Sequence, residues 1–244
     1  MPTIFVSGVP ETSAVWDEVR SRLDRESTAL ALPGFGCPRP DGFDSTMDTY
    51  ADWLRGELDA ADGPVDLVGH DWGGILAARI ATHAPRGLRS WASDGAAAVF
   101  AGFTWHDFAR IWQTPGEGEA FWDGLRAAPE DSVALFASLG IPEHHAAAMV
   151  AALDETMVDS ILRLYRSATA IGEEWAAEGP SPVPGLLVVG ANDAFGDEGR
   201  SRDVAGRLGA EVEVEVIDGG GHWWPLDSPD AAAAALEAFW SRLP

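Results

Sequence analysis

The sequence predicts an α/β protein, a mainly parallel sheet of about six strands flanked by helices, with a helical block inserted before the fifth strand. Three observations carry this. Six runs of β-rich apolar residues recur, each closed by turn residues and followed by helical composition, which is the rhythm of βαβ units. Between about residues 96 and 180 that rhythm lapses into short helical stretches separated by Pro and Gly. One strand ends in a glycine-flanked turn that opens directly into a helix.

In order along the chain, the first strand is the β-branched and aromatic run 3–7, followed by a helical stretch at 12–25. The second strand, 28–32, ends in the turn sequence Leu32, Pro33, Gly34, Phe35, Gly36, and a helix is expected over 46–60. The third strand, 65–69, is continuously strand-like and feeds a helix at 72–83 that begins with small residues. The fourth strand is 88–93, after which the helical block runs to the Pro-rich linker 179–185. Strands at 186–190 and 212–217 follow, separated by a helix at 200–208. The last helix is expected over 230–242, with Ser228 and Pro229 in cap and first-turn positions. The alanine runs near 147 and 233 are good helix formers, and no internal repeat is visible.

With 244 residues, 46% hydrophobic and 23% charged, the chain suits one domain carrying a large insertion. The expected division is a core over 1–95 and 181–244 with a helical cap over 96–180. Sixteen basic against 39 acidic residues leave a formal charge of −23, which repels nucleic acid, anionic membranes and polyanionic substrates. Cys37 is the single cysteine, so there is no intrachain disulfide and no thiolate zinc site. His144 and His145 are adjacent, hence expected on different helix faces, exposed and not metal ligands. No stretch approaches 18 apolar residues and no signal peptide is evident, which reads as a cytoplasmic protein.

The chemistry starts at the third strand, which reads Val-Asp-Leu-Val-Gly-His-Asp-Trp-Gly-Gly over 65–74. Gly69 and Gly73, two before and two after Asp71, permit a strained strand-to-helix turn that thrusts Asp71 into a cleft. At a helix N-terminus the carboxylate is expected to stay ionised. An ionised carboxylate suits attack on a saturated carbon bearing a leaving group, giving an ester with the enzyme. The alternative is that Asp71 merely caps the helix that follows.

This elbow resembles that of the α/β-hydrolase fold superfamily, in the branch of epoxide hydrolases and haloalkane dehalogenases, where Gly-His-Asp-Trp-Gly is common. The resemblance covers nearly the whole chain. Val6, Ser7, Gly8, Val9 and Pro10 match the family's oxyanion loop, with Ser7 where His is usual, and the backbone N–H groups of Val9 and Trp72 are the implied oxyanion hole. The order nucleophile, acid, base then places the base at His222, beyond the last strand in Gly-Gly-Gly-His-Trp-Trp. Asp193, after the penultimate strand, is the favoured acid and Asp94, after the fourth strand, its competitor.

For the leaving group, Tyr165 in Leu-Tyr-Arg resembles the cap tyrosine that opens epoxides, and His106 stands near where a second tyrosine would fall. Trp105 and His106 are also similar to a Trp-His pair of fluoroacetate dehalogenases, although those carry Arg where Trp72 stands here. Dehalogenases of neutral haloalkanes use indole N–H donors, for which Trp72 with Trp105, Trp112 or Trp175 are candidates; an Asn that one subgroup has in the oxyanion loop is replaced by Val9.

The resemblance therefore implies hydrolysis through an Asp71 ester, with epoxide opening to a diol ahead of haloalkane dehalogenation, and a non-catalytic ligand-binding protein as a third reading. The expected partners are water and a neutral, apolar small molecule, with no cofactor and no metal. A cap of about 85 residues leaves about 160 for the core, small for this family. The sequence begins almost directly in the strand before the oxyanion loop, so the antiparallel hairpin usual there is expected to be missing.

Overall fold

The computed structural model describes residues 2–83, 87–177 and 179–243; residues 1, 84–86, 178 and 244, which fall in the expected core and cap ranges, lie outside these. The order begins with β1 (Thr3–Val6), a 3-10 turn (Ser13–Trp16), α1 (Asp17–Arg20), β2 (Ser27–Leu30), α2 (Met47–Asp59), β3 (Val65–Gly69), α3 (Trp72–Thr82) and β4 (Leu88–Ser93). A helical stretch follows: a 3-10 turn (Ala96–Val99), α4 (Asp107–Gln113), α5 (Glu117–Ala127), α6 (Pro129–Ser138), α7 (Glu143–Ala152), α8 (Glu155–Ser167) and α9 (Ile171–Glu174). The chain then returns through β5 (Gly185–Gly190), α10 (Glu198–Leu208), β6 (Val212–Ile217), α11 (Trp224–Asp227) and α12 (Pro229–Ser241).

The six strands form one sheet in the order β2-β1-β3-β4-β5-β6, and every pairing is parallel rather than mostly so. After β1 the chain moves outward to β2 and then returns to the other side of β1. Loops leaving the carboxyl ends of β1 and β3 therefore diverge, which opens a crevice at that switch point. Register brings the loop ends together, since Val6 pairs with Gly69 and Gly69 with Ser93. The segments after β1, β3 and β4 thus start side by side.

Several boundaries differ from the sequence expectation, and four of them have a reason in the contacts made there. The helix expected over 12–25 ends at Arg20, whose guanidinium turns to Ser27 and donates to its carbonyl at 2.8 Å. The chain must then extend so that the Thr3 N–H can reach the Glu26 carbonyl at 3.0 Å and pair β2 with β1. β2 stops at Leu30 because β1, its only strand partner among the described residues, stops at Val6. α10 begins two residues early because Asp197 caps it, accepting the Arg200 N–H at 2.8 Å. Ser228 makes no capping bond; Pro229 alone opens α12, and the short α11 precedes it unannounced.

β3 is buried throughout, including Asp66 at its second position. This charge is matched at the amino end of the sheet by Arg25 at 3.0 Å and by a two-pronged contact from Arg89 at 2.9 and 2.6 Å. A buried carboxylate held this way is tolerated because its lone pairs are all engaged. Among the described residues no helix is long and apolar enough to cross a membrane.

Candidate active site

The turn after β3 explains its own sequence. Asp71 takes φ 50° and ψ −119°, a region L-residues rarely adopt, and the strain is held by two close backbone approaches. A Cβ on Gly69 would stand 2.0 Å from the Gly73 carbonyl oxygen, and one on Gly73 would stand 2.1 Å from that of Val6. Glycine is therefore demanded at both positions. The Asp71 side chain makes no capping bond to α3, which removes the helix-cap alternative. Its Oδ1 instead accepts the Val9 N–H at 2.7 Å. Trp72 opens α3, where a first-turn N–H lacks an intrahelical partner.

His222, in the loop after β6, places Nε2 3.9 Å from Asp71 Oδ2 and Nδ1 3.2 Å from Asp193 Oδ2. The other Asp193 oxygen accepts the Phe195 N–H at 2.7 Å, fixing the carboxylate. Asp94 does not reach His222. Its Oδ1 accepts the Asp71 N–H at 2.8 Å, and its Oδ2 accepts the Trp224 indole N–H at 2.8 Å and faces His70 Nδ1. Of the two competing acids, Asp193 is the one next to His222.

Burial drives Asp71 up to about 6, with the Glu11 charge pushing the same way and His222, His70 and the Val9 N–H opposing. The helix terminus does not dominate, contrary to the sequence expectation, although the carboxylate is still mostly ionised at neutral pH. For His222, burial alone would lower the pKa; the Asp193 hydrogen bond and the Asp193 and Asp71 charges outweigh it, so the net displacement is upward despite repulsion from His70.

A cavity of about 140 Å³ lies over these groups, comparable to engineered cavities that hold one benzene-sized molecule. Its floor is Val9, Asp71, Asp94 and His222; its roof is the aromatic set Phe103, Trp105, His106, Phe108, Trp112 and Tyr165. Phe195, 36% exposed, closes one side with its ring 4.9 Å from that of His222 and 5.0 Å from that of His106. Arg200, over the Phe103 ring at 5.2 Å, is at the rim.

The predicted cap donors separate. Tyr165 lines the cavity, its ring 4.8 Å from Trp112 and 5.5 Å from Trp72, and burial together with the Asp71 charge holds its phenol proton far above the usual range. His106 accepts the Ala109 N–H on Nδ1 at 3.2 Å, capping α4, which leaves its proton on Nε2. Burial and the His222 charge lower His106 to about 4, so it is a neutral donor at pH 7. Trp175 is a correction, while Trp105 lines the cavity with its ring but has no free donor. The Trp105 indole N–H is spent on the Ala168 carbonyl at 2.7 Å, and Trp175 donates to Asp48 at 2.9 Å and does not line the cavity. The buried indole nitrogens of Trp72 and Trp112, like those of the cavity-lining Trp122 and Trp223, meet no partner in good hydrogen-bond geometry among the described residues, although the Trp72 N–H lies close enough to the Tyr165 phenol to temper its rise.

Sequence reasoning missed Glu11, His70 and Phe195. Glu11 directly follows the oxyanion loop and His70 sits inside the elbow, but only the fold shows that they meet under Asp71. The rings of His144 and His145 stand 4.0 Å apart, with His144 exposed and His145 half-buried rather than exposed. Among the described residues no group of three or more His, Cys, Asp or Glu is placed to hold a metal.

A parallel sheet with a strained Asp elbow after the third strand and a His loop after the last defines an α/β-hydrolase architecture. The profile of the Alpha/beta hydrolase family matches residues 3–235, and the chain belongs to that family. No curated protein matches the sequence. Among solved structures it is similar to the haloalkane dehalogenase DbeA from Bradyrhizobium elkani, at 21% identity and TM-score 0.71, covering 98% of this chain and 90% of that one. The epoxide hydrolase CorEH matches at 18% identity and TM-score 0.76, over 98% and 91% of the two chains. E-2-(acetamidomethylene)succinate hydrolase matches at 19% identity and TM-score 0.72, over 99% and 92%. Likeness at these identities establishes the shared fold.

Proposed function

We propose that the protein hydrolyses a bond at a saturated carbon through an ester on Asp71, and that its leaving group is an epoxide oxygen. The observation that carries this reading is the constellation around Asp71, with one carboxylate oxygen on the Val9 N–H and the other facing a His222 that is itself held by Asp193. In the first step Asp71 attacks carbon and the carbon–oxygen bond of the ring breaks. Tyr165 donates the proton to the departing oxygen, with neutral His106 as a second donor in place of the expected second tyrosine. In the second step neutral His222 takes a proton from water, which attacks the Asp71 carboxyl carbon. The 3.9 Å gap between His222 and Asp71 suits a water oxygen between base and ester. The N–H groups of Val9 and Trp72 stabilise the resulting oxyanion; its collapse breaks the ester carbon–oxygen bond, His222 returns its proton to the departing alkoxide to complete the diol, and the proton left on the Asp71 carboxyl restores the Tyr165 phenol, which regenerates the carboxylate.

The helical stretch between β4 and β5 acts as the cap that excludes water, and its aromatic wall favours a neutral, small, apolar substrate. A halide leaving group is the second reading, favoured by one observation: the buried indole nitrogens of Trp72 and Trp112, which meet no partner in good hydrogen-bond geometry among the described residues. Buried donors without acceptors are costly, and a halide would satisfy them.

The two readings part on Tyr165→Phe. Epoxide opening is expected to fall about 100-fold in kcat while any bromide release from bromoalkanes is unchanged, since a halide leaves without a proton. Equal loss on both substrates would count against the phenol as proton donor. The ester itself is tested in His222→Gln, where styrene oxide or 1-bromobutane should leave a covalent mass on the tryptic peptide 56–79. No adduct from a substrate that the wild type turns over would refute the scheme.

The pH profile has a defined sign. The first step needs ionised Asp71, lost as pH falls through about 6, and the second needs neutral His222, whose pKa is raised. Both losses lie on the acid side, so kcat should climb from pH 5 and level off only above the usual histidine range. Stopped-flow or steady-state rates across pH 5 to 9 check it, and a profile that falls from pH 6 to 8 would contradict it.

A further inference from the structure

We propose that His70 is a positioning residue for the reaction above, a buried cation that ties the oxyanion loop, the nucleophile elbow and the His222 loop together beneath Asp71. The inference rests on that reaction for its function, but its geometry stands alone. The side chains of His70 and Glu11 are wholly buried and that of Asp94 nearly so. His70 Nε2 lies 2.9 Å from Glu11 Oε1, and Nδ1 faces Asp94 Oδ2. A neutral imidazole has one N–H, so one of two buried carboxylates would face a lone pair. Protonation resolves this, because Nδ1 then donates to Asp94 while the positive ring stands in ion-pair contact with Glu11 on its Nε2 side. Burial opposes the charge, but Glu11 and Asp94 outweigh it and raise His70 well above the ordinary histidine value.

Each carboxylate reaches onward to a reacting loop. Glu11 Oε2 accepts the Gly8 N–H at 2.9 Å, and the next N–H in the chain, that of Val9, holds Asp71. Asp94 takes the Asp71 N–H and the Trp224 indole N–H, two residues beyond His222. The His70 ring itself stands 5.0 Å from the His222 ring. The titratable groups around Asp71 are thus Glu11 from the loop after β1, His70 on its own turn, Asp94 after β4, His222 from the loop after β6, and Tyr165 from α8. Those around His70 are Glu11, Asp94, Asp71 and His222.

Charge gives the two members of this cluster opposite effects on Asp71. His70 favours the carboxylate anion, and Glu11 disfavours it. His70→Asn should therefore move the Asp71 titration midpoint up and Glu11→Gln should move it down, each by about one pH unit. A role limited to packing would move both in the same direction or neither.

The test needs no substrate. The Asp71 carboxyl is followed by carbon-13 NMR in protein labelled at aspartate, assigned by its disappearance in Asp71→Asn, while the His70 ring is followed by nitrogen-15 NMR. The expected result is a His70 ring protonated on both nitrogens from pH 5 to 9, with Asp71 midpoints displaced oppositely in the two variants. A His70 that titrates between pH 6 and 8, or displacements of the same sign, would overturn the proposal. If His70→Asn does not fold, the wild-type His70 titration and the Glu11→Gln displacement decide it. Because the readouts are equilibrium titrations, a missing ester in His222→Gln would defeat the proposed reaction and leave this result separately legible.

Discussion

Asp71→Asn is expected to lower turnover by about four orders of magnitude or more, the scale seen when one member of a nucleophilic triad is removed. The amide cannot attack carbon as an anion, yet it preserves the shape of the side chain and an oxygen for the Val9 N–H. Its effect on stability should have the other sign. The folded Asp71 pKa is raised from 3.8 to about 6, so folding is penalised as pH climbs through that interval, where the unfolded chain releases a proton that the folded chain retains. The penalty persists at higher pH, and Asn removes it. Turnover assays combined with thermal melts at pH 7.5 should therefore show an inactive protein that melts at or above the wild-type temperature. Activity near wild type would mean that another group attacks.

Gly73→Ala is expected to have the largest effect on the fold. Its Cβ would meet the Val6 carbonyl oxygen at 2.1 Å and that of Ser7 at 2.8 Å, both backbone atoms in or beside the interior strand β1. Neither can rotate away. α3 must retreat from β1, which strains the turn and displaces Asp71 from Val9, at a cost of about 3 kcal/mol. Urea unfolding should show a lower midpoint with little change in slope. By contrast, Ala at Gly124, whose Cβ meets nothing within 4 Å, should be neutral or slightly stabilising.

These two sites mark how much was legible in the sequence. The strands, their order along the chain and the elbow are local: apolar runs of four to six residues, turn residues between them, and two glycines flanking one aspartate. Parallel pairing then follows from the helices between strands. The catalytic candidates were readable because the motif spacing is local as well, and the fold brings Asp71, His222, Asp193 and Val9 into contact.

What escaped is what depends on contacts across the chain. Asp66 sits mid-strand in a buried position only because Arg25 and Arg89 arrive from other elements. Asp94 and Asp193 both follow strands, and Asp193 was favoured only through the resemblance; the fold sets Asp193 beside His222 and Asp94 against His70. The tryptophans behave likewise. Trp105 and Trp175 have N–H donors that look available in sequence, but a carbonyl of the Ala168 turn and the carboxylate of Asp48 consume them. The helix expected over 12–25 was cut short by the demand of sheet register, a tertiary constraint that overrides local propensity.

The central claim is that the attacking oxygen belongs to Asp71. A single turnover in oxygen-18 water, with enzyme in excess over a substrate such as styrene oxide, tests it most directly. The account predicts product whose new oxygen is unlabelled and a peptide 56–79 whose Asp71 carboxylate has gained one oxygen-18. Label in the first-turnover product with none in Asp71 would mean that water attacks the substrate directly, and would contradict the account.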